Sequence, residues 1–112
     1  MKFKKHGDLV NFALLNAQRT FENSVWFKRH VGVFTTFNGT PIRINKPGMS
    51  DIYGFINIGS KTLWVEIECK LPHDKLSEHQ VNWKNKVEQM GGIFIEFRSE
   101  KDLDYLKSFL TN

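Results

Sequence analysis

Two alternating apolar runs separated by a Gly-Ser pair constrain this chain more than any other feature. From 51 to 58, Ile52, Ile56 and Ile58 share one face, while Asp51, Tyr53, Phe55 and Asn57 share the other. From 63 to 70, Leu63, Val65, Ile67 and Cys69 alternate with Trp64, Glu66, Glu68 and Lys70. A period of two marks β-strands, because successive side chains leave the backbone on opposite faces. Gly59-Ser60 between the runs reads as the turn of a hairpin. With a two-residue turn, Ile58 faces Lys61 and Asp51 lies across from Glu68. A four-residue loop puts Asp51 across from Lys70 instead. Either register keeps the isoleucines with Val65 and Ile67, and keeps Asp51, Glu68 and Lys70 together on the opposite face. Directly opposed Cβ atoms sit about 5 Å apart, so the pattern that packs the core also gathers two acids and an ammonium group.

The remaining segments fall around this ribbon. Residues 8 to about 22 read as a helix with Asp8 at its start and Leu9, Phe12, Ala13, Ala17 and Phe21 along one side. Residues 26–37, carrying Val31, Val33, Phe34 and Phe37, read as one strand closed by an Asn38-Gly39 turn, with Pro41 to Pro47 returning as a short edge strand. Ser77-x-x-Gln80 has the form of a capping box. It opens a helix over about 77–90 with Leu76, Gln80, Trp83, Val87 and Met90 in a stripe, stopped by Gly91-Gly92. Gln80 is the polar member of that stripe and is expected to face the sheet. Residues 93–97 form a strand, and Ser99 caps a last helix with Leu103, Leu106, Phe109 and Leu110 on its inner side. The expectation is a single α/β domain over residues 1–112.

Composition narrows the function classes. At 112 residues the chain suits one core. A net charge of +4 favours an anionic partner. A lone cysteine, Cys69, rules out an internal disulfide and a Cys-rich zinc site, and a reducing, cytoplasmic setting is expected. It reads as a core filler. No run approaches the length of a membrane span. The basic start, Met1-Lys2-Phe3-Lys4-Lys5, has no apolar segment behind it, so no secretory leader is expected.

The gathered groups suit phosphodiester hydrolysis. Hard oxygen ligands can hold Mg²⁺ or Mn²⁺, the ion polarises a phosphate and acidifies a water, and a cation offsets charge growing in the transition state. Asp51 and Glu68 can supply the ligands, with the backbone carbonyl of Cys69 beside them. Lys70 can supply the cation or orient the attacking water. Two adjacent carboxylates raise one another's pKa unless a cation intervenes.

These residues resemble the VRR-NUC family, the virus-type replication-repair nucleases of the PD-(D/E)xK superfamily. The resemblance runs through Pro47-Gly48-x-Ser50-Asp51-Ile52-x-Gly54, then Trp64-Val65-Glu66-Ile67-Glu68-Cys69-Lys70, then Leu76-Ser77-x-x-Gln80-x-x-Trp83, and on through Gly91-Gly92 to Arg98-Ser99. It covers about half the chain. Ser50 departs from it, standing where a proline is usual.

The resemblance implies a restriction-endonuclease-like α/β core: a mixed central sheet flanked by helices, in the order α-βββ-α-β-α. It implies a Mg²⁺- or Mn²⁺-dependent endonuclease acting on DNA, with Asp51, Glu68, Lys70 and Gln80 as the active residues. An acid early in the first helix is also implied. Asp8 is the best match and a further candidate metal ligand, although it stands where Glu is expected; Glu22 is the alternative. Glu66 reads as a surface residue, with an outer position around the metal as its alternative. Small stand-alone relatives in phages and bacteria imply a homodimer that cuts branched DNA such as Holliday junctions during DNA repair. Lys46, Lys75 and Lys84 are the candidate DNA-backbone contacts, and other bases, including Arg29 and Arg98, are further ones. The competing readings are a catalytically idle DNA-binding module and a subunit of a larger repair or restriction assembly.

Overall fold

The computed structural model describes residues 3–30, 32–44 and 47–110. The chain begins with α1 (His6–Thr20), followed by five strands: β1 (Ser24–Lys28), β2 (Gly32–Thr35), β3 (Pro41–Ile44), β4 (Ile52–Asn57) and β5 (Thr62–Cys69). Then come α2 (Glu78–Gln89) and β6 (Ile93–Phe97). The C-terminal segment is a broken helix: a 3₁₀ turn (Glu100–Leu103), the short α3 (Asp104–Lys107) and a second 3₁₀ turn (Ser108–Leu110).

The central sheet has strand order β1-β4-β5-β6. β1, β4 and β5 are antiparallel neighbours, while β6 joins β5 in parallel through the α2 crossover. The sheet is therefore mixed and flanked by helices. β2 and β3 form a separate antiparallel ribbon. Among the described residues, no helix is long and apolar enough to cross a membrane.

The hairpin takes the tighter of the two expected registers. Ile52 pairs with Ile67 and Asn57 with Thr62, and Ile58 N–H donates to the Lys61 carbonyl at 3.0 Å. Gly59 has φ 91°, which a two-residue primed turn requires at its first central position. One face of the sheet carries Ile52, Ile56, Val65, Ile67, Cys69, Ile95 and Phe97, all buried in one cluster with Leu9, Ala13 and Ala17 of α1 and with Leu103 and Leu106. Each fully buried Ile or Leu there contributes about 1.5–3 kcal/mol. The other face of β5 and β6 is covered by α2, where Val87 is fully buried and Trp64 meets Trp83 edge-on with ring centroids 6.4 Å apart.

Several boundaries differ from the sequence expectations. α1 starts at His6 rather than Asp8, and its N-cap Lys5 makes no side-chain cap, so Asp8 sits inside the first turn. The single strand expected over 26–37 is two strands in two sheets. Its partner explains the break: Arg29 N–H still donates to the Asp51 carbonyl at 2.7 Å, but before Asp51 the chain turns away at Pro47-Gly48. Gly48 has φ 85°, and a Cβ there would lie 2.5 Å from the His79 backbone, so this turn is pressed onto α2. Among the described residues, the β1–β4 register ends at Lys28 and Ile52. The middle of the chain thus has five strands, where its residues read as four and the resemblance implied three. Met90 and Leu110, expected on inner helix faces, are exposed. Met90 lies past the last turn of α2, and the 3₁₀ turn at Ser108–Leu110 rotates Leu110 outward. Val31 and Lys46 lie outside the described residues.

Candidate metal centre

The site forms where β4 begins and β5 ends. Asp51 precedes β4, and its Oδ2 accepts the Cys69 N–H at 2.9 Å. Continuing the hairpin register by one pair sets Asp51 against Glu68. Glu68 is 3% exposed, because β4 and β6 flank it in the sheet and α2 covers it. The capping box of α2 then does two things. Ser77 N–H donates to Gln80 Oε1 at 2.9 Å, and this holds the amide so that its Nε2 donates to Glu68 Oε2 at 3.3 Å. Gln80 is both a helix cap and a neighbour of the acid. The other oxygen, Glu68 Oε1, is buried without a hydrogen-bond partner.

That arrangement is electrostatically costly. The Glu68 carboxyl is pushed up to about 9. Burial is the largest cause, followed by the charge of Asp51 and a hydrogen bond shared with it, and the Glu96 carboxylate adds a smaller push; Lys70 pulls in the opposite direction. Glu96 lies beside Glu68 in the parallel register. Burial and the nearby Asp51 and Glu68 charges also push the Cys69 thiol upward. Its side chain therefore stays a neutral core group, and Cys69 meets the site through its backbone.

A residue absent from the sequence reading completes the cluster. His6 Nε2 lies 3.2 Å from Asp51 Oδ2 and 3.0 Å from the Cys69 carbonyl oxygen. Ligand atoms of His6, Asp51 and Glu68 all lie within 4.8 Å of one another. The signal was in the helix period. His6 continues the buried stripe Leu9, Ala13 and Ala17 one step toward the N-terminus, but only if α1 begins at residue 6. Asp8, exposed on the same turn, does not belong to this cluster. Glu22 lines a surface pocket beside Asn57, at the opposite end of β4 from Asp51, roughly 20 Å away along the strand.

Glu66 is not a surface residue. It is 0% exposed. Arg29 donates to both of its oxygens, Trp64 Nε1 donates to Oε2 at 2.8 Å, and Trp83 Nε1 donates to Oε1 at 3.0 Å. The Arg29 guanidinium also stacks 4.4 Å above the Tyr53 ring. Arg98 is similarly committed. It donates to Glu96 Oε2, to the Leu71 carbonyl at 2.6 Å and to the Asp74 carbonyl at 2.6 Å, pinning the loop that follows Lys70. Both guanidinium groups are committed to these contacts, Arg29 nearly buried and Arg98 partly exposed. Lys70 is half-buried at the end of β5, Lys75 is exposed in the loop before α2, and Lys84 is half-buried on α2.

No known family model matches this chain, and a comparison with curated proteins gives no significant match.

Proposed function

We propose that this chain is a metal-dependent endodeoxyribonuclease of the VRR-NUC type, with a restriction-endonuclease-like core, acting on branched DNA such as four-way junctions in the cytoplasm of a bacterial or phage-infected cell. The observation that carries this reading is the buried, partnerless Glu68 Oε1 beside Asp51. A carboxylate that burial and a second acid push toward protonation is stabilised as an anion by a divalent cation. Asp51, Glu68 and the Cys69 carbonyl offer the hard oxygens that Mg²⁺ or Mn²⁺ takes.

An ion held there would polarise a phosphate and make a water more acidic. The chain's own groups do the rest. Gln80 fixes one oxygen of Glu68, which leaves the other for the ion. Asp51 is fixed in turn by the Cys69 N–H. Lys70, near enough to act on Glu68 electrostatically, offsets the negative charge that grows on the phosphate. Lys75 and Lys84 contact the DNA backbone, and a homodimer presents two such sites to opposing strands. The positive net charge supports an anionic substrate.

The test is a panel of labelled junction, flap, splayed-arm, duplex and single-stranded DNAs incubated with Mg²⁺ or Mn²⁺. Cutting is expected on branched substrates and is expected to vanish in Asp51→Ala and Lys70→Ala. Cutting of a four-way junction by either variant at the parent rate rejects the mechanism.

A further inference from the structure

We propose that His6 is a direct ligand of the metal centre, and that its imidazole tunes the site toward Mn²⁺ over Mg²⁺. This rests on the metal-site reading above and extends it to a residue and a metal preference.

The spacing carries the argument. Neighbouring ligands of a six-coordinate ion with bonds of about 2.1 Å lie about 3.0 Å apart, and opposite ligands about 4.2 Å apart. His6 Nε2 is 3.2 Å from Asp51 Oδ2 and 3.0 Å from the Cys69 carbonyl. The wider limit of 4.8 Å over His6, Asp51 and Glu68 accommodates both neighbouring and opposite positions. These atoms can thus surround one ion with little movement.

A second observation is independent of that spacing. Glu68 is 3% exposed and its Oε1 has no partner. Three different elements, α1, the start of β4 and the end of β5, converge on a buried acceptor that lacks a donor. The backbone of α1 is held by Leu9, Ala13 and Ala17, all in the core. His6, one turn before Leu9, is therefore delivered to the site by packing rather than by a mobile terminus.

The donor type decides the preference. Mg²⁺ favours all-oxygen, strictly octahedral surroundings. Imidazole binds first-row transition ions better, and affinity for such sites rises from Mn²⁺ along the row. One nitrogen among oxygens keeps the site hard enough for Mn²⁺ and penalises Mg²⁺.

The test uses the full chain with Mn²⁺ alone as probe. Pulsed electron paramagnetic resonance of the Mn²⁺ complex should show the hyperfine coupling of a directly bound imidazole nitrogen, and His6→Ala should abolish it. Titration calorimetry should show Mn²⁺ affinity falling at least about tenfold in His6→Ala, since even outer partners of metal ligands cost that much when removed. Mg²⁺ affinity should change less. His6→Asp should recover Mg²⁺ binding without the nitrogen coupling. His6 is 48% exposed on its side chain, and thermal denaturation should show both variants folded. Bound Mn²⁺ with no nitrogen coupling, and with unchanged affinity in His6→Ala, overturns the role of His6 and leaves the Asp51–Glu68 centre standing. Failure of the parent chain to bind Mn²⁺ at all overturns both.

Discussion

Glu66 and Glu68 stand two residues apart on one face of one strand, and both are buried, yet their surroundings are opposite. Around Glu66, four N–H groups from Arg29, Trp64 and Trp83 meet its two oxygens. Around Glu68, one amide meets one oxygen, another acid stands alongside, and no donor reaches the second oxygen. A buried charge whose acceptors are all met is part of the architecture. A buried carboxyl left short of donors is poised for a ligand. Proximity in sequence says nothing about which acid belongs to which class; only the donors brought from elsewhere do.

The sharpest way to break this contrast is to remove the donors of Glu66. Arg29→Ala should cost about 3–5 kcal/mol in urea denaturation, because it leaves a buried carboxylate unpaired. A cost below about 1 kcal/mol would show that the Glu66 network is not structural. Glu68→Gln should do the reverse. Junction cleavage should fall at least about a hundredfold, as for loss of a group acting on the transition state, while metal-free stability at mildly alkaline pH should hold or rise.

The pH dependence follows from the sign of the shift. The folded Glu68 carboxyl is raised from 4.5 to about 9, so between those values the folded state binds the proton more tightly than the unfolded state. Metal-free stability should fall as pH climbs through that window, and Glu68→Gln or saturating Mn²⁺ should flatten the slope. A thermal-melt series from pH 5 to 9 that rises for the parent chain, relative to Glu68→Gln, contradicts this. Trp83→Phe takes away one of the Glu66 donors and should cost about 1–3 kcal/mol with Mn²⁺ affinity unchanged. The smallest effect is expected from Gln80→Ala, about tenfold in Mn²⁺ affinity by calorimetry. Equal losses in stability and in metal affinity for Trp83→Phe would merge the two regions into one network.

The ribbon was readable from the sequence, since a two-residue period and a Gly-Ser turn are local and allow few solutions; the choice between its two registers came from the structure. The capping box of α2 was equally legible, and so was the placing of Asp51, Glu68 and Lys70 on one face, whereas the pairing of Asp51 with Glu68 over Lys70 was not. The split of the 26–37 segment was not readable, because it depends on where the partner chain turns at Pro47-Gly48. The fate of Glu66 was hidden for a similar reason. Alternation assigns it a face, and whether that face meets water or α2 is decided by a helix that begins twelve residues later. His6 escaped because a two-residue error in a helix start removes it from the buried stripe.

The amino-acid order alone determined which side chains share a face, since strand and helix periods are properties of the backbone. Which of those side chains are buried, which donors reach them, and which oxygen is left without one were settled only when α1, α2 and β6 packed onto the hairpin. Hydrogen bonds and desolvation depend on atoms a few ångströms away in space, and those atoms come from segments that are remote along the chain.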